Sequence, residues 1–250
     1  MVASAFTFDS LALAESQLKD LRKEIYYSES PGYVVIPGFL NAENVEHLRR
    51  LWTSPGIQRF HKPFRGKDHF YLGCPNYFLD NRGNHVFHNF LWARPVDELS
   101  HVLTLQIQIL RNRIEGKCAT NDIFPWNGRS VAYRVVLSRN KASEVKPHTD
   151  YFYPETPLDK RHDMSRLQGT LFLSKYGEDY EEGGFHFTNN QGRWVAFGRD
   201  VEVAPGDLVL WHYQNKHAVA AVTSKPGQLG FLRYIFPPGN DFRKSAFQEI

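Results

Sequence analysis

His148 and Asp150 stand two positions apart, and His217 follows Asp150 by 67 residues. Residues i and i+2 of an extended segment project to the same side, so His148 and Asp150 can face a single ion. Two imidazoles and one carboxylate cover one face of an iron(II) octahedron and leave three positions open to other ligands. A His-x-Asp pair arises easily by chance in a chain with 11 histidines. His212 also competes with His217 as the distant donor. The elements that carry these residues must therefore decide.

The pattern of the chain changes near residue 130. Leu11, Leu13, Leu18, Leu21 and Ile25, set among charges, predict an amphipathic helix over 8–27. Residues 32–38 (Gly-Tyr-Val-Val-Ile-Pro-Gly) read as a short strand. A second helix is expected to start at Asn41 as its cap, with Glu43 in the first turn. Residues 54–94 are aromatic, rich in Gly, Asn, Pro and Arg, and read as irregular. A long helix follows at about 97–115, through Leu99, Val102, Leu103, Ile107 and Leu110. From Ser130 onward the expectation is strands: 131–138, 169–173, 184–188, 194–196, 208–211 and 230–236. Turn signals separate them, among them Gly183-Gly184, Pro205-Gly206-Asp207 and Pro226-Gly227. Helices first and strands afterwards predict an α+β protein, with helices packed against a β-sandwich or barrel. No linker, repeat or low-complexity tract divides the 250 residues, so one domain is expected.

The second half has an ordered string of motifs. Tyr133-Arg134 leads to Pro147-His148-Thr149-Asp150. Next come Gly183-Gly184-Phe185-His186-Phe187, Pro205-Gly206-Asp207-Leu208-Val209-Leu210-Trp211, His217-Ala218-Val219 and Phe231-Leu232-Arg233-Tyr234. In this order the string resembles the iron(II)/2-oxoglutarate-dependent dioxygenases. The opening segment 32–40 is similar to the N-terminal strand of their phytanoyl-CoA and prolyl hydroxylase branches. The resemblance implies a double-stranded β-helix (jelly-roll, cupin-like) core over 130–237, with 1–129 as helical and loop support and a substrate cap.

The resemblance also implies roles. His148, Asp150 and His217 match the metal ligands and would form the catalytic centre. His217 matches the distal ligand because it follows the Pro-Gly-Asp turn, an apolar strand and a short loop. His212, inside that strand, reads instead as a packed sheet histidine. His186 is either pocket-lining or outward-facing. Arg233, 16 residues after His217, matches the basic residue that pairs with the distal carboxylate of 2-oxoglutarate, and the planar guanidinium fork suits that task. Many relatives carry it nearer the distal His, where this chain has Leu229. Leu229 and Arg233 are four apart on a strand and so share a face, which lets Arg233 reach the same pocket from one step deeper. Arg134 is the alternative carboxylate partner, Arg82 is a remote third, and Tyr133 resembles a tyrosine that also reaches 2-oxoglutarate. Fe(II), 2-oxoglutarate and O2 are the implied cofactors, with succinate and CO2 released as an unactivated C–H bond is hydroxylated. A carboxylate at 150 fills the position that related halogenases leave open for halide.

For the substrate, residues 60–94 would form a variable wall over the site. Tyr71, Arg82, His88 and Trp92 there, with Tyr151 just after the ligands, are candidate substrate contacts. Their mixture of polar anchors and apolar walls favours a small polar or amphipathic molecule, such as an amino acid derivative or natural-product intermediate. A protein side chain or nucleobase is the alternative substrate, and a non-catalytic cupin-like metal-binding module the alternative to an enzyme. A formal net charge of +3 gives no footprint for nucleic acid. No stretch approaches a membrane span. The two cysteines form no framework. A cytoplasmic setting is expected, with no signal peptide. The oligomeric state is left open.

Overall fold

The computed structural model describes residues 13–60, 76–79, 83–90, 96–120, 132–140, 142, 144–149 and 166–237; side chains are described for all of these except 58–60, 76–79, 88–90 and 132. Three α-helices and eleven strands follow in chain order. They are α1 (Glu15–Tyr26), β1 (Tyr33–Ile36), α2 (Ala42–Thr53), β2 (Asn76–Leu79), β3 (His85–Phe90), α3 (Glu98–Ile114), β4 (Ala132–Ser138), β5 (Val145–His148), β6 (Leu167–Phe172), β7 (Glu182–Thr188), β8 (Trp194–Ala196), β9 (Leu208–His212), β10 (His217–Thr223) and β11 (Phe231–Phe236). A 3-10 turn at Pro55–Phe60 follows α2.

The strands form two antiparallel sheets. The larger has the order β1-β9-β6-β11-β4-β3-β2 and the smaller β5-β10-β7-β8. Period-two alternation sorts the large sheet's side chains between two cores. Leu208, Leu210, Leu232, Tyr234 and Phe236 pack with Leu103, Ile107, Leu110 and Ile114 of α3. Their neighbours Val209, Trp211, Phe172 and Phe231 meet Phe185, Phe187 and Phe197 between the sheets. Burial on both faces explains why β9 and β11 read as nearly continuous apolar runs. The result is helices on one face of a double-stranded β-helix, the α+β arrangement the sequence predicts.

Polar anchors fix the helices. Asn41 caps α2, its Oδ1 accepting from Asn44 N at 3.0 Å, and Asp97 caps α3 through Ser100 N at 2.9 Å. The Tyr234 hydroxyl accepts from Trp52 Nε1 and shares a bond with Ser100 Oγ, both at 2.6 Å, so one sheet residue ties down α2 and α3. The buried Arg111 guanidinium donates to the carbonyls of Leu167, Phe236 and Pro237 at 2.8–3.2 Å. Arg166, in an ion pair with Glu115, donates to Asn112 Oδ1 at 2.7 Å and seats the start of β6 on α3.

The Gly-Gly and Pro-Gly-Asp motifs are architectural. At Gly183 (φ +84°) a Cβ would stand 2.1 Å from the Ala221 carbonyl oxygen, which requires glycine. The Asp207 carboxylate accepts from Gly38 N at 2.7 Å and from Ala204 N at 2.8 Å, holding the turn before β9 against the turn after β1. Asp207→Ala strands both donors and should cost ~1–3 kcal/mol in urea unfolding; a change below about 0.5 kcal/mol would remove this role from the carboxylate.

Four strands depart from the sequence expectation. The stretch read as irregular contains β2 and β3, which extend the large sheet beside β4. β5 and β10 were not expected, and His217 opens β10 rather than lying in a loop. Among the described residues no helix is long and apolar enough to cross a membrane.

Candidate active site

β5 and β10 bring His148 and His217 together. The two residues are Cα partners in the ladder, and their rings lie 4.4 Å apart between centroids. Both imidazoles are oriented in the same way. His148 Nδ1 lies 2.8 Å from the carbonyl oxygen of Lys146, and His217 Nδ1 lies 3.1 Å from that of Asn215. A carbonyl only accepts, so each Nδ1 carries a proton, and in the neutral ring the lone pair is on Nε2. This is the tautomer a metal ligand needs, fixed from behind by the backbone two residues upstream. Trp211 (centroid 4.8 Å), Tyr213 and Phe185 (6.4 Å each) pack around His217 and hold its ring.

The two histidines line a cavity of about 280 Å³, walled also by Arg134, Val145, Gln168, Thr170, Phe185, Tyr213, Val219, Arg233 and Ile235. Arg233 is 5% exposed, and its guanidinium carbon lies 4.5 Å from the Phe231 ring centroid. Among the described residues nothing hydrogen-bonds its buried Nη1. Burial lowers Arg233 to about 10, so it remains a cation at neutral pH in a site that penalises charge. A buried cation of this kind calls for a partner anion.

The other predicted residues fall into three groups. Arg134 lines the same cavity. Tyr133 does not. It is fully buried on the helix side of the large sheet, 5.6 Å from the Tyr234 ring, so the expected contact with 2-oxoglutarate is corrected. Adjacent residues of a strand face opposite ways, and Arg134 has the cavity side. Asp150, Tyr71, Arg82, Trp92 and Tyr151 lie outside the described residues. His88 pairs through its backbone with Arg134, while its side chain is outside the description.

Three further readings resolve. His212 follows Trp211 on the opposite face of β9 and packs edge-on against Tyr26 of α1 at 5.1 Å, away from the cavity. His186 accepts from Trp194 Nε1 at 3.2 Å and lies outside the cavity wall; burial first, then the nearby Arg199 charge, lowers its pKa. Leu229 and Arg233 do not share a face. Gly230 (φ +94°) interrupts the extended backbone before β11, and Leu229 packs against the helix-side core. Gln168 and Thr170 were not singled out from sequence. Their signal was two polar residues at alternate positions of an otherwise apolar strand, Leu-Gln-Gly-Thr-Leu-Phe.

Residues 130–236 match the family model described as the 2OG-Fe(II) oxygenase superfamily. No curated protein sequence gives a significant match. Among solved structures, a Pseudomonas putida prolyl-4-hydroxylase superposes with a TM-score of 0.56 at 16% identity, over 88% of this chain and 97% of that one. The non-heme alpha-ketoglutarate-dependent carbocyclase SnoK from nogalamycin biosynthesis gives 0.55 at 17%, over 92% and 85%. The alpha-ketoglutarate-dependent epimerase SnoN from the same biosynthesis gives 0.55 at 15%, over 89% and 83%. At these identities the likeness is one of fold, and it agrees with the family match. The segment 130–236 thus carries the likeness to the 2OG-Fe(II) oxygenase superfamily, whose chemistry draws on ferrous iron, 2-oxoglutarate and O2.

Proposed function

We propose that this oxygenase hydroxylates an unactivated C–H bond of a small polar or amphipathic molecule, with His148, Asp150 and His217 holding the iron and Arg233 the distal carboxylate of 2-oxoglutarate. The observation that carries the reading is the matched histidine pair, each Nδ1 tied to a carbonyl and each Nε2 left as the donor, in a cavity that also contains a buried arginine. The donor set fits iron(II): two imidazoles from paired strands, with a carboxylate two residues beyond His148. When bound, iron with 2-oxoglutarate and O2 supplies an oxidant strong enough for such a bond, and succinate and CO2 leave.

The chain's residues do the rest. Arg233 meets the cosubstrate with a charge-assisted fork in a low-dielectric setting, where such bonds are strongest. Phe185, Trp211 and Phe231, among the buried aromatics between the sheets, close the back of the cavity to water. Lys146 and Asn215 fix the ring planes of the two histidines through their carbonyls.

The test is anaerobic. Iron(II) and then 2-oxoglutarate are added to the protein, and the weak visible charge-transfer band of the chelate is followed. The band is expected in the wild type and absent in Asp150→Ala. No band from folded, iron-loaded wild type would sink the assignment. Under air, products of compounds that stimulate succinate release are then weighed. A gain of one oxygen marks hydroxylation, a loss of two hydrogens cyclisation or desaturation, and an unchanged mass epimerisation.

A further inference from the structure

The carbonyl behind His217 belongs to a turn that is itself clamped. The Lys146 carbonyl, behind His148, lies on β5 at the edge of the smaller sheet. Asn215 lies instead in the turn between β9 and β10, closed by its backbone N–H on the His212 carbonyl at 3.0 Å. Its side chain reaches the turn between β7 and β8, where Asn215 Nδ2 donates to Asn190 Oδ1 at 2.8 Å. Asn190 Nδ2 donates in turn to the carbonyls of Ile25 and Tyr27, at 2.9 and 2.8 Å, at the C-terminal end of α1. Those carbonyls can only accept, so they fix which way the Asn190 amide faces and leave its oxygen toward Asn215. The two amides lie over Gly32. A Cβ there would stand 2.9 Å from Asn215 Nδ2 and closer still to Asn190 Oδ1, so glycine is what admits the pair. The backbone follows the same route: His212 N donates to the Gly32 carbonyl at 3.1 Å, and Gly32 N to the Glu24 carbonyl at 3.0 Å.

We infer that Asn190 is a positioning residue for the iron site: through the Asn215 amide it holds the carbonyl that orients His217, and so ties the distal ligand to the end of α1. This rests on the reading of His217 as an iron ligand. A carbonyl sets the tautomer and plane of an imidazole only as far as its own place is fixed. The Asn215 carbonyl accepts from His217 Nδ1 at 3.1 Å, and the side chain of the same residue is the one that Asn190 grips. Helix α1 lies across the large sheet from the cavity, yet its last carbonyls thereby restrain a ligand inside it.

The iron(II) dissociation constant of the whole chain is measured anaerobically against a competing chelator. Asn190→Leu and Asn215→Ala should each raise it about tenfold, the lower end of what losing an outer partner of a ligand costs. The double variant should be no worse than either single one, because both remove the same link. The second readout is NMR of the imidazole nitrogens in iron-free protein, at a pH where the rings are neutral. His217 should be the Nδ1–H tautomer in wild type and a mixture of both tautomers in either variant, with His148 unchanged. Gln191→Ala is the control. Its Nε2 donates from the same turn to the Glu29 carbonyl without touching Asn215, so its loss should move neither readout. Asn190→Leu also gives up the bonds to α1; if it does not fold, Asn215→Ala, which leaves those bonds in place, decides. A wild-type iron constant with a single His217 tautomer in the asparagine variants would overturn the inference, as would effects that add in the double variant. If His217→Gln loses iron while the asparagine variants keep it, only the role of Asn190 fails. Iron kept by His217→Gln removes the ligand assignment and the inference with it.

Discussion

His217→Gln is expected to lose iron and, with it, all coupled succinate release, while the fold survives. Glutamine approximates the length of histidine and keeps polar atoms beside Trp211 and Tyr213, so the packing loss is smaller than for alanine. What disappears is an imidazole donor whose tautomer the Asn215 carbonyl sets. Losing one of the three proposed protein ligands should weaken iron binding by at least on the order of 100-fold, beyond the 10–100-fold usual for an outer partner of a ligand. The measurement is iron content after anaerobic gel filtration, with circular dichroism to establish folding. His212→Ala is the control. That ring packs on Tyr26 across the sheet from the cavity, so its loss should leave iron bound. Iron retained in His217→Gln, or lost in His212→Ala, would reverse the choice of distal ligand.

The competition between these two histidines shows how far sequence reasoning carries. The expectation placed His217 in a loop and His212 in a strand, and preferred the loop. Both are strand residues, and the discriminator is which face each takes. Trp211 turns into the aromatic core between the sheets, so His212 must turn out toward α1. The unexpected strand β10, His-Ala-Val-Ala-Ala-Val-Thr, lacks the β-branched and aromatic density that announces a strand, since three of its seven residues are alanine. β5 is four residues long and contains a proline, which usually argues against a strand; it lies at the edge of the smaller sheet, where proline is tolerated. β9 and β11 were legible because burial on both faces gives an apolar run.

The same alternation corrects the cosubstrate residues. Tyr133 and Arg134 are adjacent on one strand, so only one of them can reach the cavity. The register settles which one does. Arg134 is the Cα partner of Ile235, and Ile235 lines the cavity two residues from Arg233. Leu229 misled for a different reason: alternation holds only while the backbone stays extended, and Gly230 ends that extension before β11.

Arg233 should show opposite effects on stability and on function. Without an anion, a guanidinium 5% exposed among Phe231, Phe172 and Ile235 opposes folding. The Phe231 ring face offsets only part of that cost. Arg233→Met replaces the charge with an apolar chain of similar length, so the iron-free, cosubstrate-free protein should melt at the same temperature as wild type or higher. The same variant should need on the order of 100-fold more 2-oxoglutarate to form the anaerobic iron chelate, since removing one partner of a buried charged pair costs several kcal/mol. Linkage supplies the decisive comparison. In iron-loaded wild type, 2-oxoglutarate at 100 times its dissociation constant should add about 2.7 kcal/mol of stability beyond the iron contribution, and Arg233→Met at the same concentration should gain little beyond that contribution. The pH dependence follows the same sign. A cation whose folded value is lowered to about 10 binds fewer protons folded than unfolded between that value and its ordinary one, so its penalty shrinks as pH rises through that window. If Arg233→Met instead destabilised the cosubstrate-free protein while leaving the 2-oxoglutarate requirement unchanged, Arg233 would be a structural cation, and the cosubstrate's carboxylate would have to be sought at Arg134.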